Sequence, residues 1–150
     1  MIISAFQGIG KTTLAKSRLD IIDFESSSFD KSNPNWYVDY CKAALDLDKQ
    51  GYIVFVSSHK VVRDYLINSG VKYFMIMYSK DLKDFAVDKV KVRYEQDPSD
   101  KNKRAMDKAA GMFDAIYDEV ITDTATGLQI YLIDDKNYNL GAIVDKLNRE

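Results

Sequence analysis

Cysteine is almost missing from this 150-residue chain, Cys41 being the only one. A single thiol excludes an internal disulfide and a cysteine-built metal site, and it fits a reducing compartment. Cys41 itself reads as a small buried hydrophobe. Histidine is limited to His59 and proline to two positions, and no stretch has the composition of a linker between domains. Long apolar runs are absent as well. The longest, YFMIMY at 73–78, is far too short to cross a bilayer. Neither sign of charge dominates: 21 basic residues face 23 acidic ones, for a net charge of −2. That balance disfavours a generic nucleic-acid or membrane-surface binder. No basic, apolar leader precedes the first apolar run, so we expect a cytoplasmic protein.

What is present is ordinary globular composition, 46% hydrophobic and 29% charged, in a length that suits one domain with its own core. IISAF (2–6), DIIDF (20–24), YIVFV (52–56), KYFMIMYS (72–79) and LQIYLID (128–134) read as strands. Helical spacing fills the intervals. Leu14, Ala15 and Leu19 mark a first helix; Trp36, Tyr40, Ala43 and Leu47 mark a second, which Asn35 can cap. VVRDYLINSG gives a third. Asp81 can cap a long fourth, which the polar run EQDPSDKNKR (95–104) interrupts before spacing resumes through Met106, Ala109 and Phe113. LGAIVDKL (140–147) closes the chain. Strands alternating with helices imply right-handed crossovers and an α/β fold: a mostly parallel five-stranded sheet in three layers, with helices on both faces. Segments 6–13, 23–29, 57–63, 79–81 and 134–139 then gather at the carboxyl rim, where such sheets bind ligands.

One motif stands out on that rim. Ala5-x-x-Gly8-x-Gly10-Lys11-Thr12 fills every slot of the phosphate-loop pattern G-x-x-x-x-G-K-[ST] except the first glycine. Small residues there let consecutive N–H groups wrap phosphate oxygens, and the helix start adds its own amides. Gln7, Gly8, Ile9, Gly10, Lys11, Thr12 and Thr13 are therefore the candidate nucleotide-binding set. Lys11 would reach the outer phosphates, and Thr12 would offer its hydroxyl to magnesium.

ATPases and GTPases usually hold magnesium with an aspartate at the end of an apolar strand. YIVFV ends instead in Ser57-Ser58-His59, so Asp23, with Glu25 beside it, is the available acid. Only five of the 21 basic residues are arginine: Arg18, Arg63, Arg93, Arg104 and Arg149. Arginine's fork suits bidentate phosphate contacts. Arg63 and Arg93 are the two placed to converge on the rim, Arg104 less so. His59 reads as a hydrogen-bonding residue at a strand end. Trp36, Tyr37 and Tyr40 suit either stacking on an acceptor base or core packing.

AFQGIGKTT, DFE, VFVSSHKVVRDYL and KVRYEQD together resemble the P-loop small-molecule and nucleoside-monophosphate kinases. The third segment is similar to a segment of gluconate-kinase-like enzymes, and the arrangement also resembles short adenylate-kinase-like proteins encoded by bacteriophages. The resemblance implies a P-loop kinase that moves a phosphoryl group from ATP, with Mg²⁺, to a small acceptor, a (deoxy)nucleoside monophosphate first. It implies Asp23 near acceptor or magnesium, and Arg63 on the acceptor's anionic group with Glu25, Ser57 and His59 nearby. Arg93 would clasp the transferring group from a lid at about 93–105, whose mobile tip is DPSDKNKR; 134–139 would border the donor base. Kinases of a small alcohol, a sugar acid or a modified base are the alternative, as is a non-enzymatic nucleotide-binding regulator. If the chain is phage-encoded, the compartment is the host cytoplasm.

Overall fold

Five apolar runs become strands in the computed structural model, which describes residues 1–150. They are β1 (Ile2–Ala5), β2 (Ile21–Asp23), β3 (Ile53–Val56), β4 (Tyr73–Tyr78) and β5 (Gln129–Ile133). All neighbours pair in parallel, in the order β2-β3-β1-β4-β5. Every residue of β1, β3 and β4 is buried, while the edge strands β2 and β5 keep accessible positions. The central strands are unbroken apolar runs for that reason: with both faces covered there is no wet side toward which residues alternate.

Six α-helices accompany the sheet: α1 (Lys11–Ser17), α2 (Trp36–Lys49), α3 (Lys60–Ser69), α4 (Lys83–Gln96), α5 (Asp100–Asp123) and α6 (Leu140–Arg149). From β1 the chain crosses toward β2; the three later crossovers all run the other way. Right-handed connections therefore set α1 on one face and α2 through α5 on the other. α6 packs beside α1. The result is a three-layer α/β arrangement whose direction of winding reverses at β1, which opens a crevice beyond that strand's carboxyl end.

Some local expectations change. Asn35 and Asp81 cap nothing through their side chains; a 3-10 turn over Lys80–Leu82 leads into α4 instead. Leu19 lies past the end of α1 and is 99% exposed, so it belongs to no apolar face. The largest revision concerns 95–104. Pro98 stops the chain from continuing as one helix, and Ser99 accepts from Asn102 N (3.1 Å) as the N-cap of α5. Buried Asn102 donates back to Asp97 O at 2.8 Å. The expected mobile tip is thus a tight corner followed at once by helix.

Tyr40 joins the two strand ends that border the crevice. Its hydroxyl donates to Phe24 O (2.5 Å) and accepts from Ser57 N (2.8 Å). The ring is fully buried and stacks on Phe24 at 4.8 Å. Of the two roles open to it, core packing is the one its burial permits. Removing the hydroxyl leaves a carbonyl and an amide without their partner in a part-buried place, which costs about 1–3 kcal/mol. We expect Tyr40→Phe to lower unfolding stability by that amount, measured by urea denaturation with an unchanged slope.

Candidate functional site

The segment after β1 is bent by its glycines. Gly8 (φ +76°) and Gly10 (φ +111°) occupy left-handed backbone that other residues rarely adopt. A Cβ on Gly8 would stand 2.7 Å from Val90 Cγ2, so α4 sits directly on this loop. Ala5 takes the place of the pattern's first glycine without strain, because it lies inside β1 and no residue other than glycine has a positive φ. Between the glycines, buried Ile9 anchors the loop to the core. Its carbonyl accepts from Tyr138 OH (2.8 Å), which also takes a hydrogen bond from Lys89 Nζ (2.5 Å) and lies 2.9 Å from Tyr78 OH. A phenol offers one proton and two lone pairs. With its proton on Ile9 O, Tyr138 uses its lone pairs for Lys89 and Tyr78, and the hydroxyl is saturated.

The loop's amides are in the opposite state. The sheet ladder ends with Phe6 N donating to Ile76 O, and the α1 ladder begins with Leu14 N donating to Gly10 O, both at 3.0 Å. None of the N–H groups of residues 7–13 donates to a backbone carbonyl. Backbone donors require an acceptor, and a row of them on left-handed turns makes a concavity for anions. Helix α1 has only seven residues, so the pull on an anion comes from loop amides and nearby cations more than from a helix dipole.

Three adjoining cavities meet here. The largest, about 700 Å³, lies between loop residues 8–13, Lys89 and Arg93 of α4, and Asn139–Gly141. A second, about 250 Å³, is bounded by Gln7, Thr12, Asp23, Glu25 and Arg93, with Lys101, Arg104 and Lys108 of α5. A third, about 180 Å³, runs on past Asp23 and Glu25 to Ser26, Ser27, Lys31 and Ser57. Lys11 lines all three.

The electrostatics are one-sided. Burial, first of all, holds the Lys11 ammonium below the ordinary lysine pKa; Asp23 and Glu25 oppose that, while Lys101 and Arg93 add to it. Thr12 Oγ1 donates to Asp23 Oδ2 at 2.9 Å. Lys101 Nζ meets Glu25 Oε1 at 2.9 Å, and this hydrogen bond depresses the Glu25 pKa. Lys11, Lys31, Arg93, Arg104 and Lys108 form no ion pair with a carboxylate. Lys108 is pushed down by burial and then by Lys31 and Arg63. A cleft with this surplus of positive charge concentrates anions.

Gln7 through Thr13, Asp23, Glu25, Ser57 and Arg93 thus come together as the sequence implies. Arg63 does not join them. It is buried, with Nε donating to Asp123 Oδ2 at 3.1 Å and its other nitrogens donating to Glu119 and to Ser58 O. Burial works against its charge, but Glu119 and Asp123 outweigh that and raise its pKa. The arginine expected on an acceptor anion is instead a tie between α3 and α5. His59 also stays off the cavity walls: its ring bonds the Ser57 hydroxyl and meets Trp36 edge-on at 5.5 Å. From 134–139, Asn139 faces the large cavity, while Asp134 and Asp135 flank a separate depression beside Tyr131. Sequence reasoning missed Lys31, Lys89, Lys101, Lys108 and Tyr138. The signal for two of them was there: Lys101, Arg104 and Lys108 recur at three and four residues, one helix face, within a stretch read partly as loop.

No protein-family model matches the chain, and no curated protein matches it either. What fold and site define is a three-layer, all-parallel α/β protein with an amide-lined, cation-rich crevice at the end of its central strand. No helix is long and apolar enough to cross a membrane.

His59 supplies a clean check on this field. Burial lowers its pKa, and Lys108, Lys31 and Arg63 lower it further. The unfolded chain therefore takes up its proton at higher pH than the folded one, so this contribution to stability is whole above the unfolded value of 6.5 and fades as pH falls toward the folded value. As the sole histidine, its ring protons can be followed by NMR; we expect a titration midpoint well under 6.5 that rises toward it in Lys108→Ala.

Proposed function

We propose that this chain is a P-loop-type phosphotransferase that moves the γ-phosphoryl group of ATP to a small anionic acceptor, with a nucleoside monophosphate, ribo or deoxy, as the preferred class. The observation that carries the reading is the row of unpaired amides at 7–13, with Lys11 among them lining all three cavities. A triphosphate is the ligand that such a row, with the Lys11 ammonium beside it, can saturate along its length. The 700 Å³ cavity, with Lys89 and Arg93 on its far wall, has the size for a nucleotide. The two smaller cavities lie on the other side of Lys11 and suit the acceptor.

Phosphoryl transfer asks a protein for positioning and for positive charge where negative charge accumulates. Lys11 and Arg93 border both the donor and acceptor cavities and are the residues to stabilise the group in flight. Arg104 and Lys108, on the α5 face of the acceptor cavity, take over the acceptor-binding role that the resemblance assigned to Arg63. A phosphate acceptor is its own nucleophile; for an alcohol, Asp23 is the carboxylate in place to take the proton. Thr12 and Asp23 are the pair that would hold Mg²⁺, an ion that accepts one or two protein oxygens and completes its shell with phosphates and water. It would supply neutralisation of phosphate charge. The protein's part is to keep Thr12 and Asp23 adjacent and to exclude water once the acceptor is in place.

One observation favours the second reading, a small alcohol or sugar acid. The 180 Å³ cavity is lined by Ser26, Ser27 and Ser57, and its aromatic residue, Phe24, already stacks on Tyr40. Ser26 and Ser27 offer hydroxyls there, the Ser57 hydroxyl being taken by His59, and one face of the Phe24 ring is already covered by Tyr40.

ATP consumption should be measured against the eight common ribo- and deoxynucleoside monophosphates, with a panel of sugars, sugar acids and polyols beside them. We expect ADP formation that depends on one acceptor class and falls roughly 10²–10³-fold in Lys11→Ala, the usual loss for one transition-state donor. Equal ADP release with every addition and with none would overturn the kinase reading. A passive nucleotide binder would show no turnover and only weaker ATP affinity in the variant.

A further inference from the structure

Three cations on the acceptor side of the crevice have no partner. Lys31, Arg104 and Lys108 form no ion pair with a carboxylate, whereas Lys101 meets Glu25 and Arg63 holds Glu119 and Asp123. They come from two sides. Arg104 and Lys108 stand one turn apart on α5 and line the 250 Å³ cavity. Lys31, from the segment before α2, lines the 180 Å³ cavity, which shares Lys11, Asp23 and Glu25 with it. Lys31 lies close enough to Lys108 to lower its pKa, second only to burial. Lys31 and Arg104 are exposed and Lys108 is half-buried, so a ligand can reach all three.

Nothing nearby cancels their charge. The residues three and four places from Lys108 on α5 are Arg104, Ala105, Gly111 and Met112, none of them acidic. Lys31 stands 5.0 Å from the centroid of the Trp36 ring, an interaction that positions the ammonium without neutralising it. Phosphoryl transfer does not use them either. Lys11 and Arg93 border both donor and acceptor cavities and serve the group in flight. An acceptor group within reach of that phosphoryl lies beside the same two residues, and Lys31, Arg104 and Lys108 still face no anion.

We propose that Lys31, Arg104 and Lys108 form a second anion subsite, so that the acceptor carries two separated anionic groups, one at the point of transfer and one held here. The inference rests on the phosphotransferase reading and narrows its substrate class to bisphosphates of a nucleoside or a sugar. A phosphate monoester, with a charge of about −1.5 to −2 at neutral pH, matches three cations better than the single charge of a carboxylate.

Calorimetry on the full chain without ATP compares nucleoside monophosphates with nucleoside bisphosphates phosphorylated on two different hydroxyls. Sugar monophosphates and sugar bisphosphates form a parallel set, which tells the two scaffolds apart. The wild type should bind one bisphosphate at least about tenfold more tightly than its monophosphate, the gain expected of one hydrogen bond to a charged group. In the double variant Lys31→Met with Lys108→Met, which keeps both aliphatic stems, that ratio should fall to near parity. Should the double variant fail to fold, Lys31→Met alone, at an exposed position, should lower the ratio about threefold. Lys42→Ala with Lys49→Ala removes the same charge from exposed positions of α2 that line none of the three cavities, and should leave the ratio unchanged. A wild-type ratio near one, a ratio that the Met variants leave intact or that the α2 variant lowers equally, or no acceptor bound at all overturns the inference. The expected pattern without ATP turnover would support it and sink the phosphotransfer reading alone. Turnover that treats monophosphates and bisphosphates alike would sink the inference and keep phosphotransfer.

Discussion

Seven consecutive amides with no internal acceptor are the constraint around which this fold is arranged. A chain tolerates such a row only where solvent or a ligand can reach it. The reversal of winding at β1 provides that place, since crossovers leaving β1 and β4 in opposite directions leave the strand end uncovered. The loop must also keep one shape while its donors wait. Gly8 pressed on Val90, Ile9 in the core and Tyr138 on the Ile9 carbonyl hold it from three sides.

Charge follows the same plan. Cations that serve packing are neutralised: Arg63 by Asp123 and Glu119, Arg18 by Asp20 and Asp145. Cations along the crevice are left without carboxylates, apart from Lys101 on Glu25. An uncompensated positive cluster costs folding stability through self-repulsion. Burial is the first cause of the depressed pKa values of Lys11 and Lys108, and neighbouring cations add to it. Under the proposed function, an anion arriving there would relieve repulsion that the free protein already carries.

The fold was readable in the sequence because its strongest signals are long-lived ones. YIVFV and YFMIMY are apolar without a break, a pattern that a doubly covered parallel strand requires. The loop was readable because Gly8, Gly10 and Lys11 carry backbone geometry and charge in their identities. Arg63 was misplaced for a reason equally physical. Sequence shows that a residue follows a strand end, but the acids that claim it, Glu119 and Asp123, lie 56 and 60 residues away and appear beside it only after α5 packs on α3. Lys101 escaped because a polar run resembles a loop until a single cap, Ser99, starts a helix inside it; Lys108, in the part read as helix, lines up with it only once the two stretches are one helix. Tyr40 and Tyr138 were visible as aromatics. Their hydroxyl partners, which define what they do, come from distant segments.

The Arg63 cluster has a mechanical consequence. α5 is one continuous helix from Asp100 to Asp123, pinned near its far end by Arg63 and carrying Lys101, Arg104 and Lys108 on its near turns. At about 1.5 Å per residue, roughly 33 Å separate Lys101 from the pin. The near end is held as well, where Asn102 donates to Asp97 O and Lys101 meets Glu25, and the buried Ala109 and Phe113 seat the turns between. The helix is thus a strut fastened at both ends, which fixes the spacing of its cationic turns from the loop.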